Sequence, residues 1–285
     1  MQYGETRMDV LTARDGKKLD VHLWEPESPR MILMGVHGGM AHAGDFVTPA
    51  QYFKRMGILT AAYDLRGHKR PKVHIHRFED LVLDTLAFYS WIRERFPRLP
   101  LFYMGHSVGG LIGTHLGLDF GKEVEGINGF IFSAPYYANA IKAGPFGIPM
   151  VKLLSRIWPG LTIPNPDFTH LLTHDSIITA RHRQDALDGV RARKASMRFG
   201  AELFRAQDHV TSSIHQWSRP LLVFVSGQDH VADSDVTRRL LRRIDPAVVR
   251  RVFHPENFHE NYNETNRTDT YRQMLVWMDQ VSGGG

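Results

Sequence analysis

The stretch Phe102–Gly113, FYMGHSVGGLIG, decides the fold, because it places Ser107 between two glycines at the end of an apolar run. The pattern G-x-S-x-G is typical of a nucleophile elbow, where a strand ends abruptly, a serine occupies a strained turn and a helix begins at once. Residues Leu101–Met104 predict the strand and Val108–Leu118 predict the helix. Plain glycine-rich loops share this pattern, so the rest of the chain has to supply the partners that a reactive serine needs.

Short apolar segments alternate with helical patterns along most of the chain, which predicts a mostly parallel sheet covered by helices on both faces. Met31–Val36 is a continuous apolar run of the kind found in buried parallel strands. Thr6–Ala13 and Leu19–Trp24 flank a turn at Asp15-Gly16 and predict an antiparallel hairpin at the sheet edge. Further strands are predicted at Ile58–Tyr63, Gly129–Ala134, Pro220–Val225 and Val248–Phe253, and further helices at Pro49–Met56, Glu79–Phe96, Ser234–Ile244 and Thr268–Gln280.

The alternation fails between Pro135 and Ser218, in a segment rich in proline and in apolar residues. A segment this long inside a compact domain is usually a lid or a binding insertion. Amphipathic patterns at Ile177–Leu187 and Val190–His209 predict helices in it. We therefore expect a core at 1–135 and 219–285 and a helical cap at 136–218. The cap residues expected to line an acyl pocket are Phe146, Ile148, Leu154 and Trp158, although such residues could instead pack the cap onto its own core.

Composition and charge narrow the function classes. The chain of 285 residues has a formal charge of +5 and no cysteine, which excludes disulfides, thiolate nucleophiles and cysteine metal sites. Its basic residues are scattered, with short clusters such as Arg191–Lys194, so a solvated face is favoured over a nucleic-acid surface, and contact with anionic lipid stays open. The N-terminal residues resemble no secretion signal, so we expect a cytoplasmic protein. The oligomeric state cannot be predicted.

A serine hydroxyl needs a base, and the base needs an orienting acid. Asp229 follows a predicted strand in the turn SGQD, and His259 follows the next predicted strand in the loop ENFHE. Chain order and position both match the acid and the base of α/β-hydrolases, which follow the serine in that order. Asp233 and Asp235 are nearby competitors for the acid, and His254 is a competitor for the base that we expect to lie within its strand.

An ester hydrolase also needs donors for the oxyanion of its tetrahedral intermediate. The sequence HGG at His37–Gly39 follows the predicted central strand, so Gly39 N–H and Val108 N–H are the predicted donors, with Met40 as the alternative to Gly39. A plain glycine turn is the competing interpretation of this stretch. His106 is expected to support the site by packing and hydrogen bonding rather than to act as its base.

The chain resembles the monoacylglycerol lipase and lysophospholipase group of serine α/β-hydrolases over nearly its whole length. The matching segments include DGKKLDVHLWEPESPR, VHGG, AAYDLRGH, LFYMGHSVGG, PLLVFVSGQDHVAD and FHENYNET. The resemblance implies an α/β-hydrolase fold with a cap over an acyl pocket. It assigns the nucleophile to Ser107, the acid to Asp229 and the base to His259, and the oxyanion donors to the positions of Gly39 and Val108.

The chain departs from that group near the expected head-group site. The group often has Gly, Glu, Arg and Tyr where this chain has Met40, Ala41, Asp45 and Phe46, and Lys69 replaces a glycine. The catalytic residues are retained, whereas the positions close to a glycerol head are changed.

We therefore predict a serine carboxylic-ester hydrolase that acts on medium- or long-chain monoacyl esters through an acyl-enzyme. No cofactor, metal or nucleic acid is expected, and transient contact with lipid aggregates or a membrane surface stays open. His74 and His76 could bind a metal, but no third ligand lies near them in sequence. A lysophospholipase, a thioesterase, a small-ester or feruloyl esterase, and a non-catalytic binding protein on a hydrolase scaffold are the alternatives. A serine at the elbow argues against haloalkane dehalogenases and epoxide hydrolases, which need a carboxylate there.

Overall fold

An eight-stranded sheet forms the centre of the molecule. The computed structural model describes residues 2–68, 72–141, 147–164 and 167–283. The sheet strands are β1 (Arg7–Thr12), β2 (Lys18–Trp24), β3 (Met31–Val36), β4 (Ile58–Tyr63), β5 (Leu101–His106), β6 (Ile127–Ser133), β9 (Leu221–Ser226) and β10 (Val249–His254). The helices that follow these strands are α1 (Val47–Arg55), α2 (Phe78–Arg95), α3 (Val108–Asp119), α7 (Ser234–Leu241) and α8 (Arg267–Gly283).

The strand order is β1-β2-β4-β3-β5-β6-β9-β10. β2 runs antiparallel to both β1 and β4, whereas every pair from β4 through β3, β5, β6 and β9 to β10 is parallel. The predicted hairpin at one edge and the predicted parallel sheet are thus both confirmed. The chain has the α/β-hydrolase fold, with helices on both faces of a mostly parallel sheet.

Two hydrophobic clusters lie on the two faces of this sheet. Along β5, the side chains of Leu101 and Tyr103 belong to the larger cluster, while Phe102 and Met104 belong to the smaller. This alternation follows from the two-residue repeat of a strand, and it explains why a strand buried on both faces reads as a continuous apolar run. α2, α3 and α7 contribute to the larger cluster, and α1 and α8 to the smaller.

The segment between β6 and β9 holds three helices and a small two-stranded sheet. They are α4 (Gly147–Ile157), β7 (Thr162–Pro164), α5 (Ser176–Asp188), β8 (Lys194–Ser196) and α6 (Met197–Ser213), with β7 and β8 antiparallel. The prediction of one helix over Val190–His209 was wrong at its start. Residues 194–196 pair with β7, and the Ser196 side chain accepts from Phe199 N at 3.2 Å and so caps α6.

The helix α6 attaches this segment to the sheet through its apolar face. Phe199, Leu203 and Val210 of α6 are buried in the larger cluster together with the sheet and α3. α4 packs against α6.

The division of the chain into a core and a cap at 136–218 stays a prediction. Among the helices of the described residues, none combines the length and the apolar character needed to cross a bilayer.

Candidate functional site

Ser107 lies at the sharp turn between β5 and α3. Its backbone has φ 55° and ψ −115°, outside the helical and strand regions, which costs a non-glycine residue about 1–3 kcal/mol. Three backbone amides hold this turn, because Tyr136 N, Gly110 N and Leu111 N all donate to the Ser107 carbonyl at 2.9–3.1 Å. Ser107 N donates in turn to the Ser133 carbonyl at 2.9 Å. The strain is therefore maintained by the surrounding backbone.

The two glycines of G-x-S-x-G are required by close backbone approach. A Cβ at Gly105 would lie 2.6 Å from the Gly109 carbonyl oxygen, and one at Gly109 would lie 1.9 Å from the Val36 carbonyl oxygen. Both distances are shorter than any side chain tolerates. The two glycines of the motif thus allow two close contacts. Gly105 makes one across the turn itself, and Gly109 makes the other between the start of α3 and the end of β3.

Asp229 and His259 are brought together from the ends of β9 and β10. His259 Nδ1 lies 2.8 Å from Asp229 Oδ2 and 3.0 Å from Oδ1, and both side chains are buried. The amides of Val231 and Ala232 donate to Asp229 Oδ1 at 2.8 Å. Burial opposes ionisation, but the His259 charge and hydrogen bond and these two amides lower the pKa of Asp229 below its ordinary value. An ionised carboxylate only accepts, so Nδ1–H of His259 donates and its Nε2 keeps a lone pair.

The competing residues lie elsewhere. The Asp233 side chain accepts from Val236 N at 2.9 Å as the cap of α7, and the Asp235 side chain is exposed. His254 is the last residue of β10, as expected, and its Nε2 lies 3.3 Å from Thr270 Oγ1. None of the three shares the contact between Asp229 and His259.

His106 packs beside the histidine of this pair. Its ring centroid lies 4.7 Å from that of His259, and its Nδ1 lies 3.2 Å from the Ser133 carbonyl oxygen. Burial and the neighbouring His259 lower the pKa of His106 to about 4, so the ring is neutral at pH 7. This arrangement is consistent with the predicted supporting role.

The HGG turn lies directly against the elbow. A Cβ at Gly38 would lie 3.1 Å from Ser107 Cβ, and one at Gly39 would lie 3.1 Å from Val108 Cγ2. His37 secures the turn, because its Nδ1–H donates to the Gly38 carbonyl at 2.8 Å and its Nε2 accepts from Leu65 N at 3.0 Å. Burial lowers the pKa of His37 to about 3, which keeps it in this neutral form.

The structure therefore brings Gly39 against Val108, the residue after Ser107, and brings its neighbour Gly38 against Ser107 itself. Met40, the alternative donor, follows with a positive φ of 61°. Val108 N–H belongs to the first residue of α3, where the helix dipole favours negative charge.

A buried ion-pair network beside His259 was missed by sequence reasoning. Arg191 Nη2 donates to Asp45 Oδ1 at 2.6 Å and to His182 Nδ1 at 2.8 Å. Because His182 Nδ1 accepts, its Nε2 carries the proton and donates to Glu260 Oε2 at 2.9 Å. The expectation of a solvated face at Arg191–Lys194 was wrong for Arg191, whose side chain is only 11% exposed.

The network keeps two acidic groups ionised next to the site. Burial opposes ionisation, but the Arg191 guanidinium, with smaller contributions from His42 and His182, holds the pKa of Asp45 well below its usual range. His182 likewise lowers the pKa of Glu260 to about 2. One sequence signal could have indicated the network: an acid at position 45, where the related group has Arg, needs a cation from elsewhere in the chain when it is buried.

A small cavity of about 20 Å³ adjoins this network. Asp45, Glu260 and Asn263 contribute oxygen acceptors to its lining, and the rest of the lining consists of Gly38 and the rings of His37, Phe46, His106 and Tyr262. Asn263 Oδ1 is buried without a hydrogen-bond partner. The cavity can therefore hold a hydroxyl or a water that donates a hydrogen bond to one of these acceptors.

The predicted acyl-pocket residues are spread over α4 and its flanks. Phe146 lies outside the described residues. Leu154 is half-buried, whereas Ile148 is 38% exposed and Trp158 is 63% exposed. The pocket role of these residues stays a prediction. His74 and His76 form a ring pair at 5.4 Å, and the clusters of three possible metal ligands found among the described residues include neither of them.

Comparisons with known proteins identify the family of this chain. A family model described as serine aminopeptidase, S33 (Hydrolase_4), matches residues 27–266. A monoacylglycerol lipase of Mycolicibacterium smegmatis is 25% identical over 267 residues, which cover 92% of this chain and 93% of that protein. A monoglyceride lipase of Rattus norvegicus is 26% identical over 229 residues, which cover 79% and 74%. A solved structure of a soluble variant of Saccharomyces cerevisiae monoglyceride lipase with a substrate analogue superposes with a TM-score of 0.82 at 18% identity, covering 96% of both chains.

Proposed function

Because the chain belongs to the serine aminopeptidase S33 (Hydrolase_4) family and is a carboxylic-ester hydrolase, we propose that it hydrolyses medium- or long-chain monoacyl esters through an acyl-enzyme. The observations that carry the proposal are the strained, backbone-held Ser107 and the ordered pair of Asp229 and His259, whose imidazole packs against His106, the residue before Ser107. The monoacylglycerol lipases among the relatives support the substrate class. The cytoplasmic location remains a prediction from the sequence alone.

In the proposed first step, Ser107 Oγ attacks the ester carbonyl carbon while His259 Nε2 takes the hydroxyl proton. Asp229 holds the imidazole in the tautomer with the proton on Nδ1 and stabilises the imidazolium that forms. The oxygen of the tetrahedral intermediate accepts hydrogen bonds from Gly39 N–H and Val108 N–H. Collapse breaks the bond to the alcohol oxygen, which receives the proton from His259, and leaves the acyl group on Ser107.

In the second step, water hydrolyses the acyl-enzyme with the same groups. His259 Nε2 takes a proton from the water, whose oxygen attacks the acyl carbon, and then returns the proton to Ser107 Oγ. The products are a carboxylic acid and the free enzyme. All groups needed for both steps come from the chain itself.

The preference for long acyl chains rests on the exposed apolar side chains of α4, among them Ile148, and on Trp158 directly after this helix. The alcohol part of the ester would face the small cavity instead, where Asp45, Glu260 and Asn263 offer acceptors in a lining shared with His106 and Gly38. A hydroxyl-bearing alcohol fits those acceptors better than an anionic head group, which two ionised carboxyls would repel. A monoacyl ester of a small polyol is therefore the favoured substrate.

Two measurements test the proposal. Purified protein is assayed on p-nitrophenyl esters of two to sixteen carbons and on matched glycerol and phosphoglycerol monoesters, and it is labelled with a fluorophosphonate probe. We expect the highest kcat/KM with medium or long acyl chains, a preference for glycerol over phosphoglycerol, and labelling of Ser107. Ser107→Ala should lose both activity and labelling, whereas Ser90→Ala, an exposed serine bonded only within α2, should keep both. No hydrolysis at any chain length, or full activity of Ser107→Ala, would overturn it.

A further inference from the structure

A second cluster of histidine and carboxylate side chains joins α3 to α6, on a different surface from the triad. His115 and Asp119 stand one helical turn apart on α3, and His209 lies on α6. His115 Nδ1 is 3.3 Å from Asp119 Oδ2, and His209 Nε2 is 3.0 Å from Asp119 Oδ1. One nitrogen from each histidine and a carboxylate oxygen of Asp119 lie within 4.8 Å of one another.

The tautomer of His115 makes this cluster unusual. Its Nε2 lies 3.1 Å from the Ala206 carbonyl oxygen, which only accepts, so Nε2 carries the ring proton. In the neutral ring, Nδ1 therefore directs a lone pair at the Asp119 carboxylate. A cation must lie between two such groups, and it is either a second proton on the ring or a metal ion.

The cluster is open to solvent. The side chains of Asp119 and His209 are 37% and 40% exposed, so an ion can reach them from solvent.

A second group of similar composition provides the contrast. His42, Asp45 and Asp185 also lie within 4.8 Å of one another. There, however, His42 Nδ1 accepts from Gly44 N at 3.1 Å, so its Nε2 carries the proton and donates to Asp185 Oδ2 at 3.1 Å. Arg191 already supplies the positive charge for Asp45. In this group no histidine lone pair faces a carboxylate, and no cation is needed.

We propose that His115 Nδ1, the Asp119 carboxylate and a ring nitrogen of His209 bind a divalent transition-metal ion, with Zn²⁺ as the reference ion. Two imidazoles and one carboxylate are a donor set that zinc accepts, with a fourth position left for water. The Ala206 carbonyl would act as the outer partner that fixes the orientation of a metal-bound histidine.

The spacing of the cluster fits that ion. Ligands at the usual zinc distances of about 2.1 Å in a tetrahedron are separated by roughly 3.4 Å, close to the 3.3 Å between His115 Nδ1 and Asp119 Oδ2. The two imidazole rings are stacked with centroids 4.6 Å apart, so His209 has to rotate to direct its lone pair at the ion. Its exposure allows this rotation. A groove of about 370 Å³, lined in part by His115 and Asp119, provides room for the water ligand.

An ion at this place would tie the helix that follows the nucleophile to the last helix of the predicted cap. It lies outside the proposed catalytic route, so we expect it to raise the stability of the α3–α6 contact and to leave the ester chemistry unchanged. The proposal does not depend on the proposed function.

The test uses the full chain after dialysis against EDTA. Isothermal titration with ZnCl₂ should show one site per chain, the melting temperature should rise with Zn²⁺ concentration, and Co²⁺ should give the visible bands of a four-coordinate site. His209→Ala and Asp119→Asn should each weaken Zn²⁺ binding at least tenfold and remove the thermal shift. His215→Ala, an exposed histidine just after α6, is the matched control and should bind like the original chain.

Three outcomes would overturn the proposal: no stoichiometric binding by the original chain, equal affinity in His209→Ala, or equal loss in His215→Ala. The last would indicate adventitious binding by surface histidines. Both ligand variants lie on partly exposed positions, and their melting temperatures in EDTA show whether they fold. Ester hydrolysis with and without EDTA is recorded separately, and the proposal predicts no difference.

Discussion

The strand-end loops and the segment between β6 and β9 differ in how their side chains are held. At the strand ends, Ser107 and His259 are buried, and Asp229 is held by two amides and a histidine. In the other segment, Ile148 of α4 and Trp158 directly after this helix present apolar surface to solvent. The difference teaches that the proposed reactive groups are fixed by buried contacts, whereas the predicted acyl surface is one that the protein itself leaves uncovered.

The largest effect should come from the acid of the triad. Asp229→Asn keeps the shape of the side chain but no longer stabilises the imidazolium or the correct tautomer of His259, so we expect kcat to fall by about 10³–10⁴-fold. Asp233→Asn, four residues on, should lose at most about 1 kcal/mol of stability through a weaker helix cap and keep kcat. Steady-state kinetics with a soluble ester measure both. An unchanged kcat in Asp229→Asn would show that Asp229 is not the acid that orients His259.

The next effect concerns the ion pair that joins the two regions. Arg191→Met leaves Asp45 and Glu260 as buried charges without their cation, so we expect a loss of about 3–5 kcal/mol in the free energy of unfolding. The double variant Asp45→Asn/Arg191→Met should recover a large part of it. Urea denaturation of the four proteins of this cycle measures the coupling. Additive effects of the two substitutions would contradict a direct interaction.

Acid should destabilise the strand-end side first. The pKa values of the buried His37, His68 and His106 are lowered to about 3, 4 and 4, so the unfolded chain binds more protons than the folded chain below pH 6.5. Stability should therefore fall as the pH drops from about 6.5 towards 4. Glu260, whose folded pKa is lowered to about 2, adds a further loss below pH 4.5.

Unfolding free energies measured by urea denaturation from pH 8 to pH 4 check this order. His106→Gln should flatten part of the slope between pH 6.5 and 4, while Glu260→Gln should change only the slope below 4.5. A constant free energy down to pH 4.5 would contradict the assignment of neutral, buried histidines.

The smallest effect is expected at Trp158, directly after α4. Trp158→Ser should leave kcat/KM for p-nitrophenyl acetate unchanged and lower it several-fold for long-chain or dispersed esters, because the exposed indole adds apolar area for acyl groups or lipid. Ile177→Ser on α5, another strongly exposed apolar residue, is the control. If both variants lose activity equally, or neither does, the selection surface does not lie on α4.

Local patterns were enough to predict most of the fold and the contact between Asp229 and His259, while the triad with Ser107 stays a prediction. β3 and β4 were predicted to the residue, because continuous apolar runs with turn residues on both sides are local signals. Asp229 and His259 could be found because each follows such a strand directly. The distance between them is set by the parallel pairing of β9 and β10, which strand order implies.

What escaped prediction depends on contacts between distant segments. The start of α6 is set by the pairing of β8 with β7, more than twenty residues earlier. Arg191 was assigned to a solvated face because its neighbours are basic, and nothing local shows that it reaches Asp45. In the cluster of His115, Asp119 and His209, the last member lies 90 residues after Asp119, and only the first two members have helical spacing.

The contact between Gly109 and the Val36 carbonyl has a consequence for engineering. A Cβ at Gly109 would lie only 1.9 Å from that carbonyl oxygen. This position therefore accepts no substitution without moving the two segments whose amides would donate hydrogen bonds to the oxyanion. Libraries that aim at new substrates should therefore leave the elbow untouched and place their diversity on the exposed face of α4, where substitutions usually change stability by less than about 0.5 kcal/mol.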